Sequence, residues 1–121
     1  MQNGNWKKEF LERLIRFSSD IVILTNSFPK TPAGYALASQ LVRSGTSVGA
    51  NVHEAQDASS GKDFRQKMLI SLREARETYY WFEVVEVSGL LSKKELSKLK
   101  HEVSEIIAIL VSILNKLKNK E

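Results

Sequence analysis

Residues 41–55 read LVRSGTSVGANVHEA, a stretch made largely of small residues with helical spacing and no proline. At 3.6 residues per turn, Leu37, Leu41, Ser44, Val48, Val52 and Ala55 share one narrow stripe, and Ala38, Val42, Gly45 and Gly49 share the stripe beside it. Two adjoining stripes imply two packing surfaces. Glycine inside a helix costs roughly 1 kcal/mol against alanine. Gly45 and Gly49 therefore need a compensating contact, and the close approach of a neighbouring helix is the one expected.

Working outward, Thr31 before Pro32 reads as an N-cap followed by proline at the first helical position, so this helix spans about 32–58. Before it, Trp6, Phe10, Leu14, Phe17, Ile21 and Leu24 fall on one face opposite Glu9, Glu12, Arg13, Arg16 and Asp20, which predicts a helix over about 5–26. After it, Ser60 and Asp63 have capping-box spacing, in the weaker aspartate form. A third apolar face follows with Phe64, Met68, Leu72, Ala75, Tyr79 and Phe82, and Ser88-Gly89 supplies its stop, giving a helix over about 61–88. Ser92 to Glu95 is a full capping box ahead of Leu96, Leu99, Val103, Ile106, Ile107, Leu110, Leu114 and Leu117, a fourth helix over about 92–118. The expected fold is all-α, an antiparallel up-down-up-down four-helix bundle forming one domain over residues 1–121.

Composition bounds the function. A chain of 121 residues with 42% hydrophobic and 26% charged residues is long enough to bury a core and has the balance of a folded domain. It contains no cysteine, which removes disulfides, thiolate metal sites and cysteine nucleophiles. The first residues, MQNGNWKKEF, lack an apolar leader, and no run approaches a membrane span, so a cytoplasmic location without membrane association is expected. A net charge of +4 admits a polyanionic partner without requiring one. Lys116, Lys118 and Lys120 suit the negative end of the last helix dipole.

The apolar pattern is wider than one bundle needs. Leu96 to Leu117, with Ile109 and Ile113, spread over about 200° of the wheel, where a bundle helix needs somewhat over 100°. Leu11, Ile15 and Val22 form a second stripe on the first helix, and Leu69, Tyr80, Val84 and Val87 lie off the main face of the third. The surplus predicts assembly into a symmetric homo-oligomer.

Polar residues give fewer signals. Arg43, Ser47, Asn51 and Glu54 form a ladder beside the apolar stripe of the second helix, expected to be partly buried and structural. Arg43 and Glu54 lie about 16 Å apart along the axis, so each must find its partner elsewhere. His53 and His101 are each followed by glutamate but neither fits H-E-x-x-H, and no arginine stands a few residues before either, as a four-helix nuclease would need. Glu74 with Glu77, Glu83 with Glu86 and Glu102 with Glu105 recur at three-residue spacing. They are the raw material for a divalent-metal site, but the Glu-x-x-His pairs of di-iron bundles are missing, and ion pairs with nearby Arg73, Arg76, Lys98 and Lys100 are the expectation. Neither a catalytic residue, a metal nor a cofactor is expected. The candidates for nucleic-acid contact are Lys62, Arg65, Arg73 and Arg76 on the third helix and Lys93, Lys94, Lys98 and Lys100 on the fourth, with Tyr79, Tyr80 and Trp81 as candidate stacking surfaces.

The segment Arg43-Ser44-Gly45-Thr46-Ser47-Val48-Gly49-Ala50-Asn51-Val52-His53-Glu54-Ala55, followed by Lys62-Asp63-Phe64 and Gly89-Leu90-Leu91-Ser92, resembles the 23S rRNA intervening-sequence protein family over about Phe10 to Leu117. Members often carry glycine where this chain has Ala55, which suggests a slightly longer second helix here. The resemblance implies a non-enzymatic binding protein. Relatives that serve as accessory proteins of diversity-generating retroelements form basic homopentameric rings and bind nucleic acid and a reverse transcriptase. The expected function is thus a homo-oligomeric, pentameric accessory protein that binds RNA or DNA, a reverse transcriptase or another nucleoprotein partner. A metal-dependent nucleotide hydrolase using carboxylates of helices three and four, and a purely protein-binding adaptor, are the alternatives.

Overall fold

The computed structural model describes residues 4–120, with side chains described for 5–119; Met1, Gln2, Asn3 and Glu121, and the side chain of Lys120, lie outside the described residues. Four α-helices are found among them and no strand: α1 (Gly4–Thr25), α2 (Pro32–Ala55), α3 (Gly61–Val87) and α4 (Lys93–Lys120).

The helix ends have local chemical causes. Thr31 is extended and its hydroxyl accepts from the Gly34 N–H at 3.1 Å, with Pro32 in the first turn. Ser60 accepts from the Asp63 N–H at 3.0 Å, while the Asp63 carboxylate reaches back to the N–H of Ser59 rather than Ser60, at 3.1 Å. Ser92 and Glu95 form the reciprocal box, the Ser92 N–H donating to the Glu95 carboxylate at 2.9 Å and the Glu95 N–H to the Ser92 hydroxyl at 3.1 Å, and hydrogen bonding from the Ser92 backbone, then from its hydroxyl, holds the Glu95 carboxyl below its ordinary value. At the end of α3, Gly89 takes φ +77°, its N–H bonds the Glu86 carbonyl and the Leu90 N–H bonds the Val85 carbonyl, the paired bonds of a Schellman stop.

One boundary differs from the expectation. α2 ends at Ala55, with Gln56 as its cap, rather than near Ala58. Asp57 and Ala58 bond back to Glu54 and Ala55 in single tightened turns, so the chain leaves the helix before reaching the cap of α3.

The core is formed by one stripe from each helix: Phe10, Leu14, Phe17 and Ile21; Leu41, Val48 and Val52; Met68, Ala75, Phe82 and Val85; and Leu96, Val103, Ile106 and Leu110. The small-residue face of α2 does what glycine in a helix requires. A Cβ on Gly45 would lie 2.2 Å from Cδ1 of Ile21, and one on Gly49 would lie 3.1 Å from Cβ of Leu14, so α1 rests against the bare backbone of α2. The other stripe of α2 meets α3. Ser71 donates to the Val48 carbonyl at 2.7 Å, and the buried Thr78 and Ser44 hydroxyls share a hydrogen bond of 2.9 Å.

α2 packs most extensively on α3, α1 lies on α2 and α4 on α3, whereas α1 and α4 scarcely meet. Between these two runs an open cleft of about 660 Å³ lined by Trp6, Phe10, Arg13, Arg16, Lys98 and Leu99, among others.

The apolar surplus resolves unevenly. Ile107, Ile109, Ile113 and Leu117 on α4 are half-buried against the chain's own core, as are Leu11 and Leu69, and Val84 is also half-buried, so the 200° spread of α4 overstated what needs covering. Large apolar side chains left exposed include Ile15, Val22 and Ile23 on α1 and Tyr80 and Val87 on α3.

Candidate nucleic-acid interface

Seams between helices consume many of the charges. The three glutamate pairs of three-residue spacing are each gripped by one cation from a neighbouring helix. Arg43 of α2 bonds Glu74 at 3.3 Å and also Glu77. Lys100 of α4 bonds Glu83, and Glu86 at 2.8 Å. Arg13 of α1 bonds Glu102 through two nitrogens, at 2.6 and 2.8 Å, and Glu105 at 2.6 Å. The carboxylates hold Arg13 and Lys100 protonated well above their ordinary ranges, and the Arg13 hydrogen bond, followed by the charge of His101, draws Glu105 downward. Two carboxylates one turn apart thus act as a fork for a single cation.

Sequence proximity misassigns the partners. Of Arg73, Arg76, Lys98 and Lys100, only Lys100 joins a glutamate pair; Arg13 and Arg43 supply the other two cations. Among the described residues no group of three or more histidines or carboxylates converges on a metal-sized site.

The Arg43–Glu54 ladder is less buried than expected and does two things. Its ends tie α2 to α3, Arg43 to Glu74 and Glu77, and Glu54 to Lys67 at 3.0 Å. Its middle turns inward along its own helix, Ser47 donating to the Arg43 carbonyl and Asn51 to the Ser47 carbonyl, both at 2.8 Å. Arg43 and Glu54 stay exposed while Ser47 and Asn51 are half-buried. His53 spans to α1, its Nε2 lying 3.2 Å from the Leu11 carbonyl oxygen.

What the seams leave over is a row on the outer side of α3. Lys62, Arg73, Arg76 and Tyr80 fall within an arc of about 60° at 3.6 residues per turn, and all four are exposed. Lys62, Arg73 and Arg76 form no ion pair with any described residue. Arg65 borders the row but is half-buried. Lys93 and Lys94 follow in the first turn of α4, just beyond the end of α3, also exposed. The helix dipole disfavours cations at that end, so it does not account for them. Lys98 is separated from the row, because it lines the α1–α4 cleft. Tyr80 is 59% exposed and its ring meets Trp81 edge-on at 5.2 Å, whereas Tyr79 and Trp81 are half-buried, Tyr79 beneath Lys100.

A family model described as 23S rRNA-intervening sequence protein matches residues 7–112, which takes in the ladder, the three capped helix starts and the α3 row. The chain belongs to this family. A solved structure from Bacteroides thetaiotaomicron, described as a protein with unknown function from the S23 ribosomal protein family, is similar at 33% identity. It superposes with a TM-score of 0.81 over 86% of this chain and 96% of that one. No curated protein matches the chain. Within the family frame, the features that set the bundle, Gly45 and Gly49 against α1 and the glutamate forks, are accounted for by packing; the α3 row is not. Among the described residues, no helix is long and apolar enough to cross a membrane.

Proposed function

We propose that this protein is a non-enzymatic accessory protein of one up-down-up-down bundle domain that assembles into a ring and binds nucleic acid, RNA above all, through Lys62, Arg73 and Arg76, with Arg65, Lys93 and Lys94 beside them. The observation that carries this reading is the contrast between cations. Arg13, Arg43, Lys67 and Lys100 are paired across seams, while exposed Lys62, Arg73 and Arg76 on α3 are paired with nothing among the described residues. Packing and pairing explain the first set. A polyanion, which gains from each phosphate neutralised, explains the second. The family's description names its members for an intervening sequence of 23S rRNA.

The up-down course is supported by the residues that face one another: Ser44 with Thr78, Val48 with Ser71 and Glu54 with Lys67 climb one helix as they descend the other, as do Gly45 with Ile21 and Gly49 with Leu14. Assembly, taken as five copies from the family resemblance, is supported by exposed Ile15, Val22 and Ile23 on α1, beside a shallow groove of about 220 Å³ lined by Leu14, Ile15, Ser18, Gly49, Ala50 and His53. A ring repeats the α3 row once per copy and multiplies weak phosphate contacts.

Light scattering combined with a salt titration of RNA binding tests both halves. A single assembled species whose affinity falls steeply with salt, and further when Arg73 and Arg76 are changed to glutamate, is expected. A dilution-stable single subunit overturns the ring, and no binding at low salt overturns the nucleic-acid role. Partner binding that persists at high salt identifies a protein adaptor instead.

A further inference from the structure

The α3 row carries one residue that phosphate contact leaves unexplained. Tyr80 is exposed in line with the cations, four residues after Arg76 and seven after Arg73, so one and two turns separate them, about 6 and 10 Å along the axis. An aromatic ring held out to water has an apolar face to cover. This one is also braced. Its neighbour Trp81 meets it edge-on with the rings inclined at 66°, and the Trp81 indole N–H donates to Glu77 at 2.9 Å. Glu77 is in turn gripped by Arg43, so the first rung of the α2 ladder holds the support of the ring.

Resting on the nucleic-acid reading above, we infer that Tyr80 is a stacking platform for an unpaired base and that the α3 row selects single-stranded over duplex nucleic acid. A base laid on Tyr80 puts its flanking phosphates beside Arg76 and Arg73, which have no competing carboxylate partner among the described residues. A duplex offers the same phosphates but keeps the faces of its bases inside the stack, so the ring gains nothing from it. Stacking is indifferent to base identity, which makes the selected feature strandedness, not sequence.

The test uses the full chain with a fluorescein-labelled, unstructured RNA strand and an RNA duplex of equal phosphate number, read by anisotropy across a salt series. Wild type is expected to bind the single strand more tightly. Tyr80→Ala should weaken single-strand binding about tenfold, leave duplex binding and the salt slope unchanged, and be rescued by Tyr80→Phe. Arg73→Ala with Arg76→Ala should instead weaken both probes and lower the single-strand slope by about 0.7 for each phosphate that is no longer neutralised. Circular dichroism and light scattering accompany each variant. Equal affinity for the two probes with a neutral Tyr80→Ala overturns the platform while leaving the nucleic-acid role in place. So does a Tyr80→Ala variant that changes the mass of the assembly, which makes the face a contact between copies. Absence of binding to either probe at low salt overturns the underlying reading as well.

Discussion

Gly45 of α2 stands where any side chain would strike Ile21 of α1: a Cβ there would lie 2.2 Å from Cδ1, and Ile21 has no exposure through which to move aside. Gly45→Ala should therefore destabilise by about 1–3 kcal/mol in denaturant titrations, despite alanine's better helix propensity. Ile21→Val removes the colliding carbon and alone costs about 0.5–1.5 kcal/mol. The double variant should be more stable than the sum of the two singles predicts. Strict additivity would show that α1 and α2 do not meet at this pair.

Thr78→Val keeps the shape of a side chain with no exposure but strands the equally buried Ser44 hydroxyl. A loss of about 1–3 kcal/mol is expected, the cost of an unsatisfied buried polar group. Adding Ser44→Ala removes the orphan and should recover part of it. A double-mutant cycle by thermal or chemical denaturation checks the coupling.

Acid should weaken the fold through Glu105 and Glu95. Both carboxyls sit below their ordinary value of 4.5 when folded, Glu105 through the Arg13 hydrogen bond and then His101, Glu95 through the hydrogen bonds of Ser92. Their stabilisation is complete above that ordinary value and is lost as pH falls through the depressed folded values. Glu105→Gln and Glu95→Gln should each lower stability at neutral and alkaline pH and flatten the acid limb of a stability–pH curve, so that variant and wild type converge as pH falls. Lys100 has the opposite sign. Its folded value is raised by Glu83 and then Glu86, so its contribution is complete below the ordinary lysine value of 10.5 and disappears only as pH rises beyond it.

Charge on the outer side of α1 should act on assembly rather than folding. Ile15 is 59% exposed and Val22 47%, so Ile15→Glu with Val22→Glu is expected to preserve the helical circular dichroism while lowering the mass seen by light scattering. An unchanged mass would show that these side chains do not hold copies together.

The helix starts were legible because each is written in a few adjacent residues: Thr31 before Pro32, Ser60 with Asp63, Ser92 with Glu95. The glycines of α2 were equally readable, since an interior glycine has few uses besides contact. The end of α2 was not, because Gln56, Asp57 and Ala58 tolerate a helix and only the path into the next cap stops it. The width of the α4 stripe misled for a related reason: a helical wheel counts seam residues such as Ile109 and Ile113 as exposed, whereas they are half-buried. At the candidate interface, the residue types were visible but the sorting was not. Arg43 and Arg73 look alike in sequence, and only the approach of α3 to α2 decides that Arg43 is taken by Glu74 and Glu77 while Arg73 is left to solvent.

α1 and α4 approach each other less closely than any other neighbouring pair, which makes theirs the loosest seam of the bundle, and the ion pairs of Arg13 span it. The two outer helices are therefore the ones that part first, ahead of the closely packed middle pair. Amide exchange will accordingly be quickest in the outer helices and slowest where Val48 faces Ser71.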